Sequence, residues 1–290
     1  MTTRRTFLAQ AGLVSAGMLI APQLLKAATG YVPGLQLYSL RDQLPADVKG
    51  VIPKVAKAGY KEVETFGYNM DKGYWGLSAK DFGTLLKDNG LTSPSGHNGI
   101  SYFNDGKTDD LQKYIEAANM IGQKYFIIPW IDNKLLDTVE KCKIIAGKMN
   151  KVAEICKASG LKTGYHNHNF EWKQLDGGTF YDILLKETDP KLISLEMDIF
   201  WVVRAGQDPI KLLTDYPGRF DLVHVKDRDK INTDLNTEVG KGSIDYKAIV
   251  PKAKAAGVKH FIMEQENFTN IDPFVSITES CTYMKNTLHI

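Results

Sequence analysis

Four short apolar segments of the chain each end in a side chain that commonly binds metal ions. His166 and His168 end the first of these segments, and Asp198, His224 and Glu264 end the other three. A helix-like stretch separates each segment from the next. In a (β/α)₈ barrel the carboxyl ends of all strands meet at one face, where the active sites of such enzymes lie. We therefore expect these side chains to gather into one site.

The histidines of the chain are concentrated at predicted strand ends. Of the six histidines, four occupy such positions, namely His97, His166, His168 and His224. A single histidine in a strand is more often a core residue, which is how we interpret His260 and His289. Carboxylates such as Asp198 and Glu264 are rarely buried unpaired, so a cation between them is expected. Imidazole and carboxylate ligands suit one divalent metal (Mn²⁺, Co²⁺, Zn²⁺ or Fe²⁺) better than Ca²⁺.

The hydrophobic pattern after Gly34 alternates between strand-like and helix-like segments. The predicted strands are 34–40, 61–66, 91–97, 124–130, 161–169, 192–198, 220–226 and 259–265, and the predicted helices are 46–58, 78–87, 109–121, 137–158, 179–186, 209–215, 246–256 and 275–285. This order predicts an α/β fold, a single (β/α)₈ TIM barrel over residues 29–290. An open doubly wound sheet is the alternative, but the glycine-rich phosphate loop expected of it is missing. The polar loop Asp227–Gly242 is expected to cover the active end.

The first 28 residues have the pattern of an export signal. Arg4 and Arg5 precede an apolar stretch from Ala9 to Leu25 that is short for a membrane span. This pattern predicts a twin-arginine signal peptide and a periplasmic protein without stable membrane association after its removal. An uncleaved N-terminal anchor is the alternative interpretation.

Overall composition favours a small-molecule partner. The chain has 36 Lys and Arg against 34 Asp and Glu, for a net charge of +2, and no segment concentrates the positive charge. We therefore expect no nucleic acid partner and a neutral or mildly charged small molecule as substrate. The sequence leaves a homo-oligomer open. Three cysteines without metal-type spacing indicate buried thiols rather than a disulfide framework.

A metal held by such residues suggests a definite chemistry. With open coordination positions it can bind a hydroxy-ketone, polarise the carbonyl and acidify the adjacent C–H bond. Removal of that proton gives an enediolate. Reprotonation then leads to isomerisation or epimerisation, whereas loss of a β-substituent leads to dehydration or elimination.

Four segments taken together resemble the sugar phosphate isomerase/epimerase family, the xylose-isomerase-like TIM barrels. They are YHNHNFEW, EMDIFWV, HVKDR and EQE, and the resemblance extends over residues 34–290. The family includes ketose 3-epimerases, hydroxypyruvate isomerases and inosose dehydratases, with apurinic endonucleases as distant relatives. Such a resemblance implies an enzyme acting on a keto-sugar, a 3-keto-glycoside or a cyclitol.

The same resemblance implies the metal ligands. The family typically uses Glu, Asp, His and Glu from strands five to eight, and the last three fall on Asp198, His224 and Glu264. Many relatives have Glu-Asn-His on strand five, where this chain has His166-Asn167-His168. His166 takes the matching position, and His168 remains an alternative ligand. This departure is similar to the His-Pro-His segment of inosose dehydratase-like members and favours dehydration or elimination over a two-carboxylate epimerase mechanism.

Further residues near the strand ends are candidates for catalysis and substrate binding. Lys226 shares a strand face with His224 and is expected to bind a substrate oxygen or stabilise an enolate. Glu171 is either a base or the cap of its loop. The catalytic set is thus Glu171, His168, Lys226 and Glu264.

The expected substrate contacts are Glu64, His97, Trp130, Trp201 and Arg228, with Gln36, Arg41 and Trp172 as weaker candidates. The alternative role for the tryptophans is to fill the barrel.

Two other functions remain open from the sequence. A non-catalytic periplasmic sugar-binding barrel would keep the fold without turnover, although the intact ligand set argues against it. An apurinic-endonuclease-like phosphodiesterase would need a multi-metal cluster and a basic surface. The near-neutral charge counts against the second alternative.

Overall fold

Eight parallel strands close into a barrel in the computed structural model, which describes residues 30–290. The barrel strands are β1 (Pro33–Gln36), β2 (Glu62–Thr65), β3 (Thr92–His97), β4 (Tyr125–Ile128), β5 (Lys162–His166), β6 (Ile193–Asp198), β7 (Phe220–Val225) and β10 (His260–Met263). Strand β10 pairs with both β7 and β1, which closes the sheet. The predicted TIM barrel is therefore confirmed and the open doubly wound sheet is wrong. Residues 32–290 form one unit, and the predicted signal peptide lies outside the described residues.

Helices occupy the connections between the barrel strands. The α-helices are Leu44–Ala58, Ala79–Asp88, Tyr102–Asp105, Asp109–Ile121, Val139–Ala158, Phe180–Glu187, Ile199–Arg204, Pro209–Asp215, Tyr246–Ala255 and Pro273–Tyr283. Helix 79–88 begins after Ser78, which caps it by accepting a hydrogen bond from the Asp81 N–H through its hydroxyl. Within residues 30–290, no helix is both long and apolar enough to cross a membrane.

Strand register brings the site residues to a common level. Asp198 on β6 lies opposite His224 on β7, and His166 on β5 lies opposite Glu196 on β6. Side chains two residues apart on a strand share a face. Glu196 and Asp198 therefore point the same way from β6. The barrel thus converts residues far apart in sequence into neighbours at the carboxyl ends of the strands.

Local structure differs from the predictions in several connections. Helices Tyr102–Asp105 and Ile199–Arg204 were not predicted, and two other connections also differ. Strand β1 ends at Gln36 rather than Leu40, because the Gln36 side chain accepts from the Tyr38 N–H and starts a 3₁₀ helix over Leu37–Leu40. In the loop after β7, the short strands β8 (Asp227–Arg228) and β9 (Asn236–Thr237) pair antiparallel. The Asn236 side chain accepts hydrogen bonds from the backbone N–H groups of Glu266 and Asn267. This loop therefore packs on the chain after β10, and none of its residues lines the cavity described below.

Candidate metal centre

Four buried side chains converge at the carboxyl end of the barrel. They are His166, Asp198, His224 and Glu264, and one ligand atom from each lies within 4.8 Å of the others. Asp198 Oδ2 is 3.9 Å from His166 Nε2 and 4.0 Å from His224 Nδ1. Glu264 Oε2 is 3.4 Å from His224 Nδ1. With metal–ligand bonds of about 2.0–2.2 Å, two ligands of one ion lie roughly 3–4 Å apart, so these spacings suit a shared cation.

The two oxygens of Asp198 have different surroundings. Oδ1 accepts a hydrogen bond of 3.1 Å from the Trp201 N–H and so caps helix 199–204. Oδ2 is buried without a hydrogen-bond partner and faces the two imidazoles. Burial raises the pKa of Asp198 to about 6, and the charges of Lys226 and His224 only partly offset that effect. An unpaired buried carboxylate oxygen is costly, and a divalent cation at this position would satisfy it. The residues present therefore fit a metal ion.

Asn167 fixes the position of Asp198 on the neighbouring strand. Its side-chain oxygen accepts from the Asp198 N–H at 3.1 Å, and its amide group donates to the Asp198 carbonyl at 3.3 Å. Asn167, the middle residue of His166-Asn167-His168, thus binds the backbone of the neighbouring strand rather than the substrate. An amide suits this position because it offers one donor and one acceptor group.

Lys226 is a buried cation beside the same residues. Its Nζ lies 3.1 Å from Glu264 Oε2, 3.0 Å from Glu266 Oε1 and 3.8 Å from Asp198 Oδ2. Burial alone would lower the pKa of Lys226, but the three carboxylates outweigh burial and raise it. Lys226 is therefore a fixed positive charge next to the site and is not suited to act as a base.

A second layer of polar side chains lies against His166 Nδ1 and His224 Nε2, the ring nitrogens on the side away from Asp198. Glu196 Oε2 is 3.0 Å from His166 Nδ1 and 2.8 Å from His97 Nε2. Glu64 Oε1 is 2.8 Å from His224 Nε2 and 3.0 Å from His97 Nε2. Both carboxylates are fully buried. Sequence reasoning missed Glu196, although its place two residues before Asp198 on one strand was a usable signal.

The electrostatics of this layer follow from burial and charge. Burial raises the pKa of Glu196 to about 7, with the neighbouring Glu64 charge adding to the effect. Burial opposes a charge on His97, but Glu64 and Glu196 outweigh it and raise its pKa to about 10. Burial and the nearby imidazoles together hold the pKa of His166 well below its usual range. His166 is therefore neutral, as a metal ligand must be.

A cavity of about 350 Å³ opens above the four convergent side chains. One wall is aromatic and is built by Tyr38, Phe66 and Trp130. Its polar lining comes from His97, His166, His168, Glu264 and Glu266. No Lys or Arg is among the described residues that line it. The cavity is large enough for a sugar-sized ligand and offers aromatic rings beside hydrogen-bonding groups.

His168 and Glu171 form a linked pair beside the cavity. The Glu171 carboxylate accepts the His168 N–H at 3.0 Å and the Tyr165 hydroxyl at 2.7 Å. Glu171 is fully buried and does not line the cavity, and burial raises its pKa to about 7. His168 does line the cavity, and its Nδ1 is buried without a partner. Burial and the Lys226 charge lower the pKa of His168 to about 3, so the ring is neutral.

The other expected substrate contacts lie at different distances from the cavity. His97 and Trp130 line it, and Trp130 is 51% exposed. Glu64 lies beneath it in the buried layer, and the Trp201 ring lies 5.5 Å from that of His168. The Arg228 guanidinium instead donates to the Thr233 carbonyl within its own loop. Among the weaker candidates, Arg41 donates to the Glu266 carbonyl, Gln36 donates to Glu64, and Trp172 stacks on Tyr181.

Comparison with known proteins identifies the family. The profile of the xylose isomerase-like TIM barrel family matches residues 52–287. Since this match covers most of the chain, the protein belongs to that family, and the resemblance predicted from the sequence is confirmed. A crystal structure of a sugar phosphate isomerase/epimerase from Parabacteroides distasonis superimposes with a TM-score of 0.79 at 28% identity, covering 90% of this chain and 96% of that one.

Among characterised sequences, inosose dehydratases are similar to this chain. The enzyme of Geobacillus thermodenitrificans is 27% identical over 190 residues, which cover 59% of this chain and 63% of that protein. The enzyme of Geobacillus kaustophilus is 24% identical over 237 residues, covering 76% of this chain and 71% of that protein. The matched segment thus spans less than two thirds of the first of these relatives.

Proposed function

We propose that this protein is a divalent-metal-dependent enzyme that modifies a keto-sugar, a 3-keto-glycoside or a cyclitol. The reaction proceeds through an enediolate and ends in isomerisation, epimerisation or elimination. The single observation that carries the proposal is the unpaired, buried Asp198 Oδ2, which faces two imidazoles beneath a sugar-sized cavity. The similarity to inosose dehydratases and to a sugar phosphate isomerase/epimerase supports the substrate class.

In this proposal His166, Asp198, His224 and Glu264 hold the metal. When bound, Mn²⁺, Co²⁺, Zn²⁺ or Fe²⁺ supplies Lewis acidity, which lowers the pKa of the C–H bond next to a substrate carbonyl. Lys226 adds a fixed positive charge that stabilises negative charge on a substrate oxygen. Its three carboxylate neighbours keep it protonated for that role.

His168 is the proton acceptor in the proposed mechanism. Its ring is neutral and lines the cavity, and its low pKa means that it accepts a proton only from a C–H bond that a bound metal would make strongly acidic. Glu171 holds the backbone of His168 in place through the hydrogen bonds described above. The aromatic wall formed by Tyr38, Phe66 and Trp130 suits the C–H face of a sugar ring. Because no Lys or Arg is among the described residues that line the cavity, an unphosphorylated substrate is favoured.

The test combines metal analysis with exchange in D₂O. Purified protein is expected to hold about one transition metal per chain. With its keto-substrate, it should exchange the proton next to the carbonyl, which proton NMR detects. The products then separate epimerisation from elimination. Wild-type protein that binds none of the four metals and exchanges no proton in a panel of keto-sugars would contradict the proposal and favour a sugar-binding barrel.

We also propose export to the periplasm through the twin-arginine signal at residues 1–28. The motif Arg4-Arg5 before an apolar stretch supports this proposal. Replacing both arginines by lysine should retain the protein in the cytoplasmic fraction with its N-terminus uncleaved. Equal periplasmic amounts of the two proteins would contradict export by this route.

A further inference from the structure

The buried layer beneath the candidate metal centre contains three imidazoles and two carboxylates. Each of three ring nitrogens lies at hydrogen-bonding distance and angle from one carboxylate. His97 Nε2 pairs with Glu196 at 2.8 Å, His166 Nδ1 pairs with Glu196 at 3.0 Å, and His224 Nε2 pairs with Glu64 at 2.8 Å. These distances are those of strong N–H···O hydrogen bonds to charged acceptors.

A carboxylate in its ionised form only accepts hydrogen bonds, so in that form the proton of each pair is on the ring nitrogen. A neutral imidazole carries one N–H, and its other nitrogen then has a free lone pair. For His166 the free nitrogen is Nε2, which faces Asp198 Oδ2 at 3.9 Å, an arrangement of lone pair and carboxylate oxygen that is repulsive without a cation between them. His224 Nδ1 lies 4.0 Å from Asp198 Oδ2 and 3.4 Å from Glu264 Oε2, to which it donates in the metal-free protein. It is free once a metal takes the place of that proton.

We propose that Glu64 and Glu196 are positioning residues that fix the tautomers of His166 and His224 so that Nε2 of the first and Nδ1 of the second are free to bind the metal. This inference rests on the proposed metal-dependent function and assigns roles to two buried residues. Some carboxylates accept a hydrogen bond from the ring nitrogen of a ligand histidine that does not bind the metal. Removing such a carboxylate commonly lowers metal affinity 10- to 100-fold.

The layer itself is also a potential cation site, because His97, His166, Glu196 and His224 each offer a ligand atom there. Two features favour hydrogen bonds instead. The three ring nitrogens lie 2.8–3.0 Å from their carboxylate oxygens, which is the length of a direct hydrogen bond and shorter than the roughly 3–4 Å between two ligands of one ion. Gln36 also donates to Glu64 at 2.7 Å, which adds a neutral donor to the layer. The layer is thus a set of hydrogen bonds that needs no ion.

The first test observes the protons directly. Protein labelled with ¹⁵N on histidine is loaded with Zn²⁺, which is diamagnetic, and the ring nitrogens are observed by NMR. We expect the N–H on Nδ1 of His166 and on Nε2 of His224, with Zn²⁺ on the opposite nitrogen of each ring. A proton on the other nitrogen of either ring would overturn the inference.

The second test measures Zn²⁺ affinity by titration calorimetry. Glu196→Ala removes the acceptor and should weaken Zn²⁺ binding about 10- to 100-fold. Glu196→Gln keeps an oxygen acceptor without the charge and should lose clearly less affinity than Glu196→Ala. Equal losses in the two variants would indicate that charge rather than tautomer control is responsible, and would overturn the inference. If Glu196→Ala does not fold, the Gln variant and the wild-type NMR spectrum still decide.

The matched control is Glu62→Gln. Glu62 pairs with His260 Nδ1 at 2.8 Å, which is the same kind of contact, but this pair lies at the amino-terminal ends of β2 and β10. Zn²⁺ affinity should be unchanged in this variant.

Further outcomes separate the inference from the proposed function. Wild-type protein that binds Zn²⁺ no more tightly than Glu196→Ala overturns only the inference. Two Zn²⁺ per chain, with one lost in Glu196→Ala, would likewise overturn it by making the layer a second metal site. Wild-type protein that binds no Zn²⁺ overturns both.

Discussion

At the scale of single residues, the site depends on side chains that do two things at once. Asp198 caps a helix with one oxygen and leaves the other unpaired and buried. His224 contacts Glu64 through one nitrogen and faces Glu264 through the other. The contacts of each atom in such residues cannot be assigned from sequence spacing, because spacing gives the strand face but not the partner of each atom.

The unpaired oxygen of Asp198 leads to a prediction about stability. Asp198→Asn keeps an oxygen to cap helix 199–204 but removes the buried charge. We expect the metal-free protein to become more stable by about 1 kcal/mol while metal binding is lost. Urea unfolding in the presence of a chelator, together with a metal titration, measures both effects. A less stable metal-free variant would show that Oδ2 is already compensated without a metal.

At the scale of elements, the two ends of the barrel differ in how their charged side chains are paired. The carboxyl ends carry the unpaired and repelling groups of the site. At the amino-terminal ends, by contrast, Asp221 on β7 pairs with Lys162 at 2.8 Å and Lys259 at 3.2 Å, and Glu62 pairs with His260. The charged side chains at the amino-terminal end are therefore paired, as expected of the face that stabilises such a barrel.

The Asp221 cluster predicts a pH-dependent contribution to stability. Burial would raise the pKa of Asp221, but the hydrogen bond and charge of Lys162 and the charge of Lys259 outweigh burial and lower it. Since the folded-state pKa lies below the unfolded value, this stabilisation is present above about pH 4 and is lost as the pH falls through the folded pKa. Asp221→Asn should therefore cost about 1 kcal/mol at pH 7.

Urea unfolding of wild type and Asp221→Asn between pH 7 and about pH 3 provides the measurement. The difference between the two proteins should shrink as the solution becomes more acidic. A difference that stays constant over this range would show that the ion pairs do not stabilise the fold. Metal-binding affinity at pH 7 serves as the control and should be the same in both proteins.

At the scale of the whole molecule, closure of the barrel links the site to global stability. The candidate ligands come from β5, β6 and β7 and from the chain directly after β10, so a bound metal would bridge four consecutive parts of the ring. A ligand that binds only the folded state stabilises it, by about 2.7 kcal/mol at one hundred times its Kd.

Metal binding should therefore raise the melting temperature. For a domain of this size, saturation at one hundred times Kd predicts a rise of roughly 5–10 °C. Differential scanning fluorimetry with and without Zn²⁺ or Mn²⁺ measures it, and a chelator should reverse it. His224→Ala should fold but show no rise. A variant that retains the full shift would contradict the assignment of His224 as a ligand.

The sequence by itself determined the fold and the sector of the barrel that carries the site. Alternating periods of hydrophobic residues define the strands and helices, and parallel strands in a barrel must bring their carboxyl ends together. His166, Asp198, His224 and Glu264 could therefore be placed in one group before any coordinates. Helices 109–121 and 209–215 were also predicted with the bounds that the structure has.

Only the tertiary structure decided how the individual atoms are paired. The position of Glu196 two residues before Asp198 indicated its strand face, but only the tertiary structure shows that β3, β5 and β7 bring imidazoles against its carboxylate. Glu171 and Arg228 were candidates by proximity in sequence, yet their side chains turn to a backbone N–H and a carbonyl outside the cavity. Hydrogen-bond partners depend on distances of tenths of an ångström between distant segments, and sequence periodicity carries no information at that scale.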